Sequence, residues 1–187
     1  MPAMKIPSVL STLSFVAIVL GLCLLLLLGV GCAGRALAEP HAKTRKVVGV
    51  SALALGGWLA FTGALTASGQ LARTTPIPLL LPFVLLSLAV AALAAASALG
   101  TRLVRGLSIT ALVGFQAFRL PLELVLHSWV EQGVIPVQMS FTGDNFDIVS
   151  GVLAIALAVW SWKADKPPRI AIAIWNVLGS ALLAVVM

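Results

Sequence analysis

Six apolar runs, joined by connections too short to hold a domain of their own, leave this chain little choice of fold. They cover roughly residues 6–33, 47–69, 77–100, 103–129, 146–162 and 170–186. A helix needs ~20 apolar residues to cross the hydrocarbon core of a bilayer, where each backbone polar group must be bonded internally. No alternation of period two argues for strands instead. The expectation is an all-α fold: a polytopic transmembrane helical bundle of about six helices, forming a single domain over residues 1–187. Composition closes the other classes. Hydrophobic residues make up 60% of the chain and charged residues 10%, with a mean hydropathy of +1.11. A soluble domain is nearer ~45–50% apolar and ~25% charged. An ordinary soluble enzyme, a disordered tail and a nucleic-acid binder are excluded.

The charges then orient the bundle. Arg35, Lys43, Arg45 and Lys46 follow the first run; Arg102 and Arg105 follow the third; Lys163, Lys166 and Arg169 follow the fifth. Only Lys5 and Arg73 fall on the opposite side, together with Glu131, Asp144 and Asp147. Basic connections stay in the cytoplasm. Connections 35–46, 101–105 and 163–169 are therefore expected to be cytoplasmic, both termini on the outer side, and the protein integral to a bacterial cytoplasmic membrane. The net charge of +6 reflects this arrangement rather than a nucleic-acid face.

The first run also raises the question of processing. Gly31-Cys32 resembles a lipoprotein cleavage site, and Ala36-Leu37-Ala38 a signal-peptidase site. The run is far longer than the ~7–15 residues of a signal h-region, which favours an uncleaved first transmembrane helix. Cys23 and Cys32 share that helix, ~13 Å apart in rise and beyond disulfide reach. No cysteine–histidine cluster suggests zinc or thiol chemistry.

Small residues mark packing faces. Ala52, Gly56, Ala60, Ala64 and Ser68 recur every fourth position in the second run, and Ala89–Ala98 is alanine-rich. Both are expected to pack inside the bundle, with a dimer face as the alternative. Thr62 and Thr66 are expected to bond back to their own helix, and Trp129, Trp160 and Trp162 to act as interfacial anchors.

The fourth run carries the chemistry. Gln116, Arg119, Glu123 and His127 fall within an arc of roughly 80° on one helical face. A charge near the bilayer centre costs at least ~2.5–3.5 kcal/mol, so these side chains must face the protein or a water-filled cavity and must pair. Arg119–Glu123 and Glu123–His127 each stand four apart and are expected to meet. Pro121 removes the bond to the carbonyl of Ala117 and kinks the helix. Beyond the stripe, Val130–Asn145 is too apolar for a simple solvated loop and is expected to dip back over the stripe as a lid. Gln138, Asn145 and Asp147 join the candidate set from there, and Asn176, beside Trp175, from the last run. Asp144 followed by Asp147 also reads as a helix N-cap with an acidic first turn. The Arg119–Glu123 pair could equally be purely structural.

The segment RLPLELVLH (Arg119–His127), followed by Gly133, Pro136, Gln138 and Met139 and by Gly143, Asn145, Phe146, Asp147 and Gly151, resembles an uncharacterised family of small multi-pass bacterial membrane proteins. The resemblance covers about a third of the chain, and implies a polytopic bundle and no particular activity. Members continue past a segment like Trp175, Asn176 and Gly179 into a further helix, so a six-helix or shortened variant is expected here.

Three functions remain open. The first is a site open to the outer side that binds or transports a small or lipid-like ligand, with Arg119 holding an anionic group and Glu123 and His127 exchanging protons. The second is an accessory subunit meeting another membrane subunit or a second copy of itself. The third is an intramembrane enzyme using acid–base chemistry, or a metal held by Glu123, His127 and Asp147. No nucleophile motif is present, paired-histidine haem ligation is excluded because His41 lies in a connection, and no cofactor is specified.

Overall fold

A computed structural model describes residues 6–72, 79–143, 145–164 and 168–186. Lys5, Arg73, Asp144 and Lys166 lie outside the described residues, and with them the expected N-cap at Asp144. The described chain is all-helical, with eight α-helices: α1 (Val9–Ala36), α2 (His41–Ala67), α3 (Leu80–Ala96), α4 (Ala98–Gly106), α5 (Ile109–Phe115), α6 (Arg119–Glu131), α7 (Asp147–Lys163) and α8 (Arg169–Val186). A 3-10 turn at Gln116–Phe118 joins α5 to α6 in a rod of 23 residues.

Three helical rods are long and apolar enough to cross a membrane: α1, α2 and α5–α6. The pair α3–α4, bent by 58°, makes a fourth if counted as one span. With 17 and 18 residues, α7 and α8 fall at the short end of the ~17–25 that a span requires. Leu10, Leu53 and Leu93 each expose more than 70% of their surface. Leucines presented outward along whole helices suit lipid as the surrounding solvent, because water would penalise that much apolar area.

The first expected connection is shorter than the hydropathy pattern suggests. Only Leu37–Pro40 lies outside helix between α1 and α2, so Lys43, Arg45 and Lys46 start α2 rather than occupying a loop. The expected connection 101–105 is corrected outright: those residues form α4, and the break before the fourth rod falls at Leu107–Ser108. Two serines explain this. Ser97 turns extended and its Oγ accepts from the Leu99 N–H at 3.1 Å. Ser108 does the same for the Ala111 N–H, also at 3.1 Å. Each satisfies an orphan donor of a new helix inside apolar sequence.

The chain divides into two compact units. In the unit Leu26–Leu107, α4 lies against α1 where Gly106 meets Ala33; a Cβ on Gly106 would stand 2.6 Å from the Ala33 Cα. This approach buries Arg102, whose Nη1 is 2.6 Å from Glu39 Oε2 and whose Nη2 donates to the Val30 carbonyl at 3.3 Å. Lys43 Nζ reaches the other Glu39 oxygen at 2.9 Å. Among the described residues of this unit the expected packing faces are not covered: α3 buries none of its residues, and a Cβ on Gly56 would meet nothing within 4 Å. The threonines of α2 do bond back, Thr62 to Leu59 O and Thr66 to Thr62 O.

The second unit comprises Met1–Leu25 and Ser108–Met187. Its core joins Val113 of α5, Ala154 and Leu157 of α7, and Ile172 and Trp175 of α8. Without a hydrophobic driving force in lipid, helices associate through close packing and polar links. Both occur here. Thr110 and Ser161 hydroxyls pair at 2.9 Å, and Gly151 lets α7 touch the start of α6, where a Cβ would stand 2.7 Å from the Leu120 nitrogen. Trp129 also packs within the unit: its Nε1 donates to Ser11 Oγ at 3.0 Å and its ring lies against Phe15. Trp160 and Trp162 remain exposed.

Gly151→Ala is expected to lower unfolding stability in detergent by about 1–3 kcal/mol, because backbone must move to admit the methyl. Gly57→Ala, on open helix, should be neutral or stabilising by up to ~1 kcal/mol. Thermal unfolding of the two variants side by side checks both.

Candidate functional site

The stripe on α6 is met, residue by residue, by the chain that follows it. At Glu131 the helix ends, Gly133 takes a positive φ of 67°, and the chain turns back. Ser140 Oγ then comes 3.4 Å from His127 Nδ1, Asn145 Nδ2 donates to Glu123 Oε1 at 2.6 Å, and Arg119 Nη1 donates to Asp147 Oδ1 at 2.5 Å. Positions 127, 123 and 119 are one turn apart, so the loop descends ~12 Å along α6. The expected lid exists, and it runs along the stripe rather than across its mouth.

The loop is shaped for this path. A 3-10 turn at Val137–Met139 is closed by the Ser140 N–H on the Val137 carbonyl. The N–H groups of Gly143 and Asn145 both return to the Ser140 carbonyl. Gly143 passes so close to Val137 and Gln138 that a Cβ would collide with their backbone. Asn145 holds three elements at once: its Nδ2 also donates to the Met139 carbonyl at 3.2 Å, and its Oδ1 accepts from the Asp147 N–H. Phe146, not Asp144, precedes the first residue of α7.

This geometry overturns the expected Arg119–Glu123 pair. Arg119 turns instead to Asp147 and to Gln116 Oε1, the latter at 3.3 Å. Glu123, 1% exposed, faces Asn145, and its Oε2 has no partner among the described residues. Glu123 and His127 do not pair either: His127 Nε2 is 3.5 Å from Glu131 one turn on, and its ring lies on Phe141 at 4.6 Å. Among the described residues no group of three His, Cys, Asp or Glu could hold a metal ion, so Glu123, His127 and Asp147 are not gathered as ligands. Gln138 is exposed, outside the cluster.

Pro121 acts upstream of itself. The helix tightens into the 3-10 turn before Arg119, whose N–H bonds the Gln116 and Ala117 carbonyls. This places Gln116 and Arg119 at the wall of a cavity of about 120 Å³, lined also by Ser150, Trp175, Asn176, Gly179 and Ser180. Arg119 is near the middle of the Ile109–Glu131 rod, so the cavity lies at mid-span. Ser150 Oγ is fully buried and bonds nothing among the described residues. Trp175 Nε1 donates to the Ser150 carbonyl at 3.0 Å, fixing α8 against α7 at this level.

Asn176 thus joins Gln116 and Arg119 across the unit. Ser140, Ser150 and Ser180 were not singled out by sequence reasoning. For two of them a signal existed: Ser150 is three positions after Asp147 on the same helical face, and Ser180 four after Asn176. Ser140 carried none, because the return path of the loop places it.

Compared with protein-family models, with curated proteins and with solved structures, the chain shows no match.

Asn145→Ala is expected to cost about 2–4 kcal/mol, since it strips the donor from a buried carboxylate and frees the Met139 carbonyl. Gln138→Ala should change stability by less than ~0.5 kcal/mol. Amide exchange over 139–147 provides an independent readout: it should accelerate in the first variant only.

Proposed function

We propose that this is an integral protein of a bacterial cytoplasmic membrane that binds a small or lipid-like ligand at the mid-span cavity, with its basic helix ends facing the cytoplasm. The observation that carries the reading is the placement of Ser150. A buried hydroxyl without a partner, beside a cavity and next to an ion pair at mid-span, is costly in an idle structure. Intramembrane charges facing a bundle interior ordinarily mark a working site. Unlike a bare ion pair, this one stands beside space large enough for a small chemical group.

A second reading, an accessory subunit, is favoured by one feature. The small-residue stripe of α2 meets no neighbour at Gly56 among the described residues of its unit, and such faces accept a partner helix closely.

Native mass spectrometry of the chain released from nanodiscs tests the first reading. A small molecule or lipid is expected to remain bound, and Ser180→Phe, which fills the cavity from an exposed position, should displace it. Unliganded chain in both samples, with a second protein at fixed ratio, would instead support the accessory reading.

A further inference from the structure

The polar residues that line the cavity specify the kind of ligand, granted that the cavity is a binding site as proposed above. One of them can only donate, and two more offer a free hydrogen. The guanidinium of Arg119 has no acceptor. Its Nε and Nη1 are used on Gln116 and Asp147, while Nη2 bonds nothing among the described residues. Gln116 must turn its Oε1 towards that guanidinium, which leaves its amide nitrogen as a free donor. The Ser150 hydroxyl, buried and unpartnered, adds a third hydrogen to donate. Asn176 and Ser180 can serve either way. Trp175 contributes an apolar ring, because its N–H is engaged by the Ser150 carbonyl. The complement of such a wall is a hydrogen-bond acceptor.

Charge narrows the class. The cation on the cavity wall is already neutralised by Asp147. An anionic ligand would set two negative charges against one positive at mid-span, and a cationic one would face Arg119; each carries the cost of an uncompensated charge in a low-dielectric site. Size narrows it further. At about 120 Å³ the cavity is somewhat smaller than the ~150 Å³ that accommodates benzene. It holds one functional head, not a folded-up lipid.

We infer that the cavity receives an uncharged carbonyl group, its oxygen taking hydrogen bonds from Ser150 Oγ, the Gln116 amide and Arg119 Nη2. The carbonyl belongs either to a small solute or to the head of a lipid-soluble amphiphile.

Equilibrium binding to the full chain in nanodiscs, with empty discs subtracted, tests this with radiolabelled methyl heptyl ketone, octanoate and octylamine. The three share a similar chain and differ in the charge of the head. The ketone should saturate, with octanoate and octylamine weaker by at least about tenfold. Ser150→Ala should weaken the ketone by about 2–12-fold, the worth of one hydrogen bond. Ser161→Ala, on the same helix but bonded to Thr110 outside the cavity, should leave it unchanged. Acetone competing as well as the long-chain ketone assigns the carbonyl to a small solute; acetone failing to compete assigns it to an amphiphile. Octanoate or octylamine binding more tightly than the ketone, with sensitivity to Ser150→Ala, overturns the carbonyl inference and leaves the cavity a binding site. If no probe saturates, the inference fails; if Ser180→Phe also changes nothing in the native mass spectrum, the binding reading fails with it.

Discussion

An arginine at mid-span needs a counter-charge, and in this protein the counter-charge comes from the next helix. Arg119 reaches Asp147 across 28 positions of chain. The surrounding unit is arranged so that this contact can form. Pro121 and the 3-10 turn before it set the start of α6. Gly151 allows α7 to press against that start, within 2.7 Å of the Leu120 nitrogen for any added Cβ. The loop must descend from Glu131 to bring Asp147 to the level of Arg119, and on the way Ser140 and Asn145 meet His127 and Glu123. Polar links of this kind hold helices together where lipid removes the hydrophobic drive to associate.

How much of this was legible follows from the range of each interaction. Hydropathy is summed over about twenty residues, so the apolar rods were visible, as was the face carrying Gln116, Arg119, Glu123 and His127. Breaks that depend on a single hydroxyl were not: Ser97 and Ser108 each start a helix inside apolar sequence. The Arg119–Glu123 pairing failed because helical proximity at four positions competes with tertiary partners, and Asp147 and Asn145 arrive with better geometry. That arrival depends on loop closure and on glycines at Gly143 and Gly151, which local spacing does not encode. The stripe on α2 shows the converse: a clear pattern of small residues in which a Cβ on Gly56 meets no neighbour among the described residues of its own unit.

The two units handle buried charge differently. Arg102 is neutralised locally, by Glu39 at the turn between α1 and α2, in a clasp with Lys43, while its Nε and the Thr44 hydroxyl are buried without a partner among the described residues. Arg119 is neutralised beside a cavity, with donors left over on Gln116 and Ser150. Both clusters leave buried hydrogen-bonding groups without a partner among the described residues; the functional reading rests on the cavity that stands beside the second.

The most direct test of this account is a double-mutant cycle on Arg119→Ala and Asp147→Ala, read as unfolding free energy in detergent. If the pair is the contact around which the loop and α7 are placed, the coupling energy should be about 1–3 kcal/mol, with the double variant less damaged than the sum of the singles. Effects that add to within ~0.5 kcal/mol would mean the two side chains act independently, and would contradict the account.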